Sequence, residues 1–326
     1  MRYQNILHTD LRPSVLSLGT GGMGATIDRE TSFRMLDLYL ERGGNFIDTA
    51  KIYNDWIPGE KSRSEKVIGD WLRARGNRQR VILATKGAHP DLQSMHIPRL
   101  SPEEITADLE ASLRHLRVDC IDLYWLHRDD PARPAAEILE TLARLAQAGK
   151  IRAYGCSNWR LERIQAAQAW AAQNGVPGFA AVQNLWNLAK IAEENVGDKT
   201  LALMDAPLWK YHQQEQLAAI PFTSQAQGIF QKLESGGPDS LSAGQRKMYF
   251  TPETQARFQR VQHLKAQTGW TTAQIVLGYL TGQPFPTFPV IGPRSLAQLE
   301  DSLAAADVTL APDQLAYLTQ STDALV

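Results

Sequence analysis

Four ionisable side chains in the first half of this 326-residue sequence, Asp48, Tyr53, Lys86 and His127, could act as one acid–base set. Asp48 lies near the end of the run Asn45-Phe46-Ile47-Asp48-Thr49-Ala50, and Tyr53 follows on the next loop. Lys86 ends the apolar run Ile82-Leu83-Ala84-Thr85-Lys86, and His127 ends Leu123-Tyr124-Trp125-Leu126-His127. An ionisable group ending an apolar run loses solvation energy unless it is paired or used. Singly, each has an ordinary structural reading: a turn cap, a surface tyrosine, a solvated strand end, a hydrogen-bonded loop histidine. Jointly, they suit the reduction of a carbonyl. A tyrosine hydroxyl has an ordinary pKa of about 10, and a neighbouring lysine ammonium favours the phenolate and makes the proton easier to give. An aspartate paired with the lysine holds its charge and position, and a histidine can donate a hydrogen bond that orients the carbonyl oxygen. A cofactor would have to bring the hydride. In the oxidative direction the tyrosine would be the base.

Such a set needs elements that bring the ends of several strands together. Eight β-rich runs, at 15–19, 45–49, 81–86, 121–127, 151–157, 180–185, 217–223 and 287–291, alternate with helical stretches. Ser101-Pro102-Glu103-Glu104 reads as a capping box with proline at the first helical position, followed by the stripe Ile105, Leu109, Leu113 and Leu116. Phe33, Leu36 and Leu40 form a second stripe, closed by Gly43-Gly44. Ile138, Leu139, Leu142 and Leu145 form a third, closed by Gly149, and Thr251-Pro252 opens a fourth with Phe258, Val261 and Leu264. Several strands are nearly all apolar, as strands buried on both faces of a parallel sheet must be. The expected fold is an α/β (β/α)8 TIM barrel, one domain over residues 1–326, with an open doubly wound sheet as the alternative. Residues 187–199 and 231–250 read as irregular loops after strands, on the face where a barrel builds its function.

Composition narrows the partners. A net charge of −1 provides no basic field for nucleic acid or an anionic membrane surface. No apolar run approaches the length of a membrane span, and the polar start lacks the apolar core of a signal peptide. The two cysteines, Cys120 and Cys156, are too few for a disulfide framework and lack CxxC spacing. They read as reduced core thiols, which fits a cytoplasmic location, and no metal site is expected.

The segment Gly19-Thr20-Gly21-Gly22-Met23-Gly24 fits G-x-G-x-x-G after an apolar run, with Asp48 at a tolerable distance for the acidic residue of a dinucleotide-binding turn. Yet Ala25-Thr26-Ile27-Asp28 separates the glycines from the next helix, whereas the fingerprint requires them to open it. A flexible strand-end loop that lets backbone approach a ligand is the better reading.

The residues resemble the aldo-keto reductase family from about Leu16 to Leu310. Phe46-Ile47-Asp48-Thr49-Ala50 with Tyr53 is similar to the family's aspartate–tyrosine motif, and Thr85-Lys86 and Leu126-His127 match its other two catalytic positions. The resemblance implies a barrel that binds NADP(H) extended across its C-terminal mouth. It implies Tyr53 as general acid, Lys86 and Asp48 as its tuning pair, and His127 as the substrate-orienting residue. At the nicotinamide it implies Ser157, Asn158 and Gln183 around the carboxamide, Phe222 stacked on the ring, and Gly19 and Thr20 from the first loop, beside Asp48. Thr223, Ser224, Gln225, Ala226 and Gln227 replace the family's usual Ser-Pro-Leu-Ala-Arg, which alters the pyrophosphate contacts expected there. Gly292, Arg294, Gln298, Asp301 and Ser302 resemble the segment that holds the adenosine phosphate, where a helix N-terminus favours an anion. Arg294 can fork onto a 2′-phosphate, so NADPH is expected over NADH. Ser302 stands where asparagine is common, and Leu185 where an acidic residue is usual.

The expected partner is a small-molecule carbonyl or its alcohol, with a homo-oligomer left open. Trp56, Trp125, Trp159 and Trp186 lie on or near mouth-forming segments; any that line the pocket favour aromatic or sugar faces. Trp56, with Tyr53 and His127, is the expected substrate contact, and Asp55 and Glu60 add polar groups nearby. The substrate class stays at aldehyde, ketone or sugar-like. Since some family members serve as NADPH-binding regulatory subunits of potassium channels, an interaction role with weak reductase activity is the alternative; the chain lacks a long N-terminal extension that could plug a pore.

Overall fold

The computed structural model describes residues 1–320; the end of the expected 1–326 domain lies outside the described residues. Eight strands are present among the described residues: β1 (Ser17–Gly19), β2 (Phe46–Asp48), β3 (Ile82–Gly87), β4 (Ile121–Leu126), β5 (Ile151–Ser157), β6 (Ala181–Gln183), β7 (Ala218–Ala219) and β8 (Val290–Ile291). They pair in the order β7-β6-β5-β4-β3-β2-β1-β8, and every pair is parallel. A parallel bridge between Ala219 and Thr287 brings the two ends of the sheet together, with Phe288 N–H donating to Ala219 O at 2.8 Å. The expected (β/α)8 barrel is therefore the observed fold. Several strands are shorter than the expected runs, but pairing continues past them: Thr49 N–H reaches Ala84 O at 3.0 Å and Ile220 N–H reaches Val182 O at 2.9 Å.

The helices are α1 (Arg29–Glu41), α2 (Arg63–Arg75), α3 (Pro102–Leu116), α4 (Ala135–Gln147), α5 (Leu161–Asn174), α6 (Ala206–Glu215), α7 (Ile229–Gly236), α8 (Ala243–Tyr249), α9 (Pro252–Thr268), α10 (Thr272–Thr281), α11 (Leu296–Leu303) and α12 (Pro312–Thr319). The expected capping box is formed at Ser101 and Glu104, and Thr251 caps α9 through its side chain. Residues 231–250 are a correction. The stretch is not an irregular loop but holds most of α7 and all of α8, and its glycines and serines are helix ends. Gly237 follows α7 with φ +61°, and Ser242 and Gln245 form a capping box for α8. By contrast 187–199 is irregular apart from one short 3-10 turn.

Alternation along the strands divides the apolar residues between two cores. Phe46, Ala84, Leu123, Trp125, Ala153, Ala181, Ala218 and Phe288 fill the barrel, joined by Ile6 and Leu11 of the N-terminal segment. Their strand neighbours Ile47, Leu83, Tyr124, Tyr154 and Val182 pack outward against the helices. Gly155 makes room for this filling, since a Cβ there would lie 2.4 Å from the Trp125 ring. Cys156 is buried and Cys120 half-buried, and both are free thiols. No helix among the described residues is long and apolar enough to cross a membrane.

One buried group links this packing to pH. His212 of α6 has no exposure, holds Leu217 O through Nδ1 at 2.7 Å and stacks on Phe285. Burial pushes its pKa down to about 4, so below the ordinary histidine value of about 6.5 the unfolded chain takes up a proton that the folded chain refuses. Stability from this group is thus complete above about pH 6.5 and is lost as pH falls towards 4. Urea unfolding midpoints should drop between about pH 7 and about pH 5, with a smaller drop in His212→Asn; equal drops in both proteins would remove His212 as a cause.

Candidate active site

The alternation that fills the barrel also assembles its mouth. Two residues beyond Phe46 on the same face stands Asp48, beyond Ala84 stands Lys86, beyond Trp125 stands His127 and beyond Ala181 stands Gln183; Ser157 continues the face of Ala153. The inward-facing layer thus changes from apolar to polar at the C-terminal ends of β2 to β6. Asp48 and Lys86 are both 1 % exposed, while Tyr53, on the loop between β2 and α2, is half-buried.

Lys86 organises the layer. Its ammonium donates to Asp48 Oδ2, to Thr49 O at 2.8 Å and to the Tyr53 hydroxyl oxygen at 2.9 Å. These three acceptors match the three ammonium protons. The other carboxylate oxygen of Asp48 accepts from Gln183 Nε2 at 3.0 Å. Burial pulls the Lys86 pKa down, but Asp48 and Tyr53 outweigh it and the net direction is up. For Tyr53, burial raises the pKa, Lys86 opposes it and Asp48 adds to it; the net direction is up. Lys86 therefore acts on the phenol in the expected sense without overcoming burial.

His127 is 8 % exposed. Its ring meets Tyr53 edge to face at 6.0 Å. Burial, with the positive charges of Arg128 and Lys86 nearby, holds it well below the ordinary histidine range. Its Nδ1 is sealed from solvent with no partner among the described residues. Asn158 Nδ2 and an Arg128 N–H both donate to its carbonyl, at 3.2 and 2.8 Å.

Two residues here escaped the sequence reading. His89, after β3, packs edge to face on His127 with centroids 4.7 Å apart. Arg128 donates to Thr200 Oγ1 at 2.7 Å and to Asp198 Oδ2 at 3.0 Å, which ties the irregular loop after β6 to the residue beside His127. The only signal for either was closeness in sequence to Lys86 and His127.

The expected cofactor positions line the same mouth in part. Ser157 Oγ donates to Gln183 O at 2.7 Å. Asn158 gives both amide protons to His127 O and Ser157 Oγ, and its Oδ1 accepts from Ala202 N. Gln183 is 1 % exposed, with a carbonyl Oε1 that has no partner among the described residues. A carboxamide N–H would satisfy that oxygen, so the residues fit the group expected there. Thr20 Oγ1 donates to Asp48 O at 3.1 Å, and a Cβ on Gly19 would come within 2.7 Å of Val290, so β1 and β8 meet closely there. Phe222 pairs with Leu185 at the end of β6. Beyond it, Thr223, Ala226 and Gln227 have positive φ, Ser224 Oγ donates to Val290 O at 2.6 Å, and Gly228 N–H closes a turn onto Gln225 O.

On the last segment, Gly292 and Arg294 are exposed, and the Arg294 guanidinium has no partner among the described residues. Gln298 accepts from Arg294 N–H at 2.8 Å, while Ser295 caps α11. Asp301 accepts from Thr271 Oγ1 at 3.0 Å, and Ser302 is buried at 3 %.

The glycine motif does not form a dinucleotide-binding turn. Gly24 N–H donates to Ile27 O, and Ile27 N–H to Gly22 O; α1 starts only after Asp28, whose side chain caps it. Asp48, the acid of that reading, is engaged by Lys86 instead. Of the four tryptophans, Trp56 is 55 % exposed and lies 6.4 Å from the Tyr53 ring; Trp125, Trp159 and Trp186 are packed in the cores. Asp55 accepts from Ser62 N–H and Glu60 pairs with Lys66, so both brace the loop that carries Trp56.

The chain matches the model of the aldo/keto reductase family over residues 15–323. It is 30% identical to the uncharacterized oxidoreductase YrpG of Bacillus subtilis, over 98% of this chain and 95% of that protein. It is 29% identical to the norsolorinic acid reductase stcV of Emericella nidulans, over 94% of this chain and 77% of that protein. With the aryl-alcohol dehydrogenase [NADP(+)] of Phanerodontia chrysosporium it shares 28% identity, over 92% of this chain and 78% of that protein. With a closed parallel barrel and a buried polar layer at its mouth, the chain belongs to the aldo/keto reductase family and is an oxidoreductase.

Proposed function

We propose that the protein interconverts a carbonyl and its alcohol by hydride transfer with NADP(H), Tyr53 supplying the proton in reduction. The observation that carries this reading is the Lys86 ammonium held between Asp48 and the Tyr53 hydroxyl. The raised pKa of Tyr53 keeps its phenol protonated at neutral pH, the state a proton donor needs. Once the proton leaves, the phenolate forms 2.9 Å from a buried cation that already points at it. Burial of the pair between fixed partners means that little reorganisation accompanies the transfer.

His127 is suited to orient the carbonyl oxygen. It is neutral, because burial and the nearby cations oppose a second proton. Its Nδ1 meets no acceptor among the described residues, so the ring proton belongs on Nε2, where a substrate oxygen can accept it. A bound nicotinamide cofactor supplies or takes up the hydride. Gln183, with Ser157 and Asn158 beside it, would hold the carboxamide, and the unpaired Arg294 guanidinium would hold a 2′-phosphate. The name of the Phanerodontia relative agrees with NADP. Trp56 offers an exposed indole face beside Tyr53, which suits an aromatic or sugar-like aldehyde or ketone; the names of the Emericella and Phanerodontia relatives include a norsolorinic acid and an aryl alcohol.

Tyr53→Phe should keep NADPH affinity, read from cofactor fluorescence, and lose single-turnover reduction by roughly 10²–10⁴-fold. A rate close to wild type with chemistry limiting would refute the donor role. Arg294→Ala should raise the NADPH dissociation constant by about 10-fold or more and leave that for NADH nearly unchanged. Equal weakening of both cofactors would count against the 2′-phosphate contact.

A further inference from the structure

The function just proposed uses His127 but leaves its neighbour unexplained. His89 is 8 % exposed, the same as His127, and the two rings meet edge to face at the ends of adjacent strands. Its Nδ1 lies 2.6 Å from Pro90 O. A carbonyl oxygen only accepts, so Nδ1 must carry a proton. The ring carries no second one at neutral pH, because burial and the Arg128 charge push its pKa down to about 4. The remaining nitrogen, Nε2, is therefore a lone-pair acceptor, and the ring's one hydrogen bond among the described residues is the one made by Nδ1. A lone pair that the protein leaves free on a ring only 8 % exposed is available to a donor brought by a bound molecule. Beside it, His127 has the opposite arrangement, with a donor at Nε2 and an empty Nδ1.

Two imidazoles in contact thus present one donor and one acceptor. Their complement is a molecule that carries an acceptor and a donor close together. If the acceptor is the reacting carbonyl oxygen on His127, the donor is a hydroxyl one or two carbons away. We propose that His89 is a specificity-determining residue that accepts a hydrogen bond from such a hydroxyl, so that hydroxycarbonyl compounds are preferred over their deoxy analogues. The inference rests on the carbonyl reduction proposed above and deepens it. The hydroxyl can belong to a sugar-like chain or to a phenol, since both offer the same O–H. A site whose acceptor would be left unpaired discriminates against the analogue that lacks the donor.

The test compares matched pairs with NADPH: glyceraldehyde against propanal, and 2-hydroxybenzaldehyde against benzaldehyde. The readout is the ratio of kcat/KM within each pair. Wild type should favour the hydroxylated member of at least one pair by about 10-fold, the worth of one buried hydrogen bond, and the pair that shows it identifies the source of the hydroxyl. His89→Phe keeps a ring against His127 without the acceptor and should bring that ratio close to unity. His89→Gln can offer a carbonyl oxygen and should restore part of it. A wild-type ratio near unity in both pairs, with measurable turnover, overturns the inference and leaves the carbonyl reduction standing, whether or not the variants fold. An unchanged ratio in folded His89→Phe does the same. Absence of turnover with all four compounds and with their alcohols would remove the carbonyl reduction and this inference together.

Discussion

Burying Lys86 against Asp48 inside the barrel is the constraint from which the site follows. Two charges taken out of water are tolerable only when every remaining proton and lone pair finds a partner, and removing one partner of such a pair typically costs about 3–5 kcal/mol. The partners come from several parts of the chain: Thr49 O at the end of β2, Tyr53 on the loop beyond it, and Gln183 on β6. In the strand order, β2 and β6 are separated by β3, β4 and β5 on one side and by β1, β8 and β7 on the other, so they face each other across the barrel. A single hydrogen bond from Gln183 to Asp48 therefore spans the mouth, and the pair is satisfied only in the closed barrel. The reactive hydroxyl is held by the same ammonium that satisfies the pair. Structural and chemical demands thus fall on one nitrogen.

Much of this was legible in the residues. The rhythm of apolar runs located the eight strands, because a strand buried on both faces has few polar residues to blur it. Asp48, Lys86 and His127 stood out because each interrupts such a run at its end. The convergence of the three depended on the barrel, and the barrel supplied it. The helices of 229–249 were hidden for an equally physical reason. They are short, and the Gly and Ser residues that end them read as loop when counted by composition.

Other parts could not be read in advance. His89 and Arg128 look like ordinary loop residues in the sequence. Their significance comes from which ring or carbonyl they meet, and that is decided by strands β3 and β4 lying side by side. The tryptophans show the converse. Four seemed available to a pocket by position, yet strand parity and helix packing turn three of them into the cores. The net pKa of Tyr53 was also beyond the residues alone, since it depends on how far burial outweighs a cation whose presence was plain.

The barrel closes on its most lightly paired seam. Between β7 and β8 the ladder reduces to the Ala219–Thr287 bridge and a few flanking bonds, including Ser224 Oγ to Val290 O. The stretch from Phe222 to Gln227 leaves one side of this seam, and the stretch from Gly292 to Ser302 leaves the other. A long ligand gripped by both stretches would be a strap across the joint, drawing together the first and last staves of the cask. Affinity for such a ligand and the wholeness of the cylinder would then be two readings of one mechanical fact.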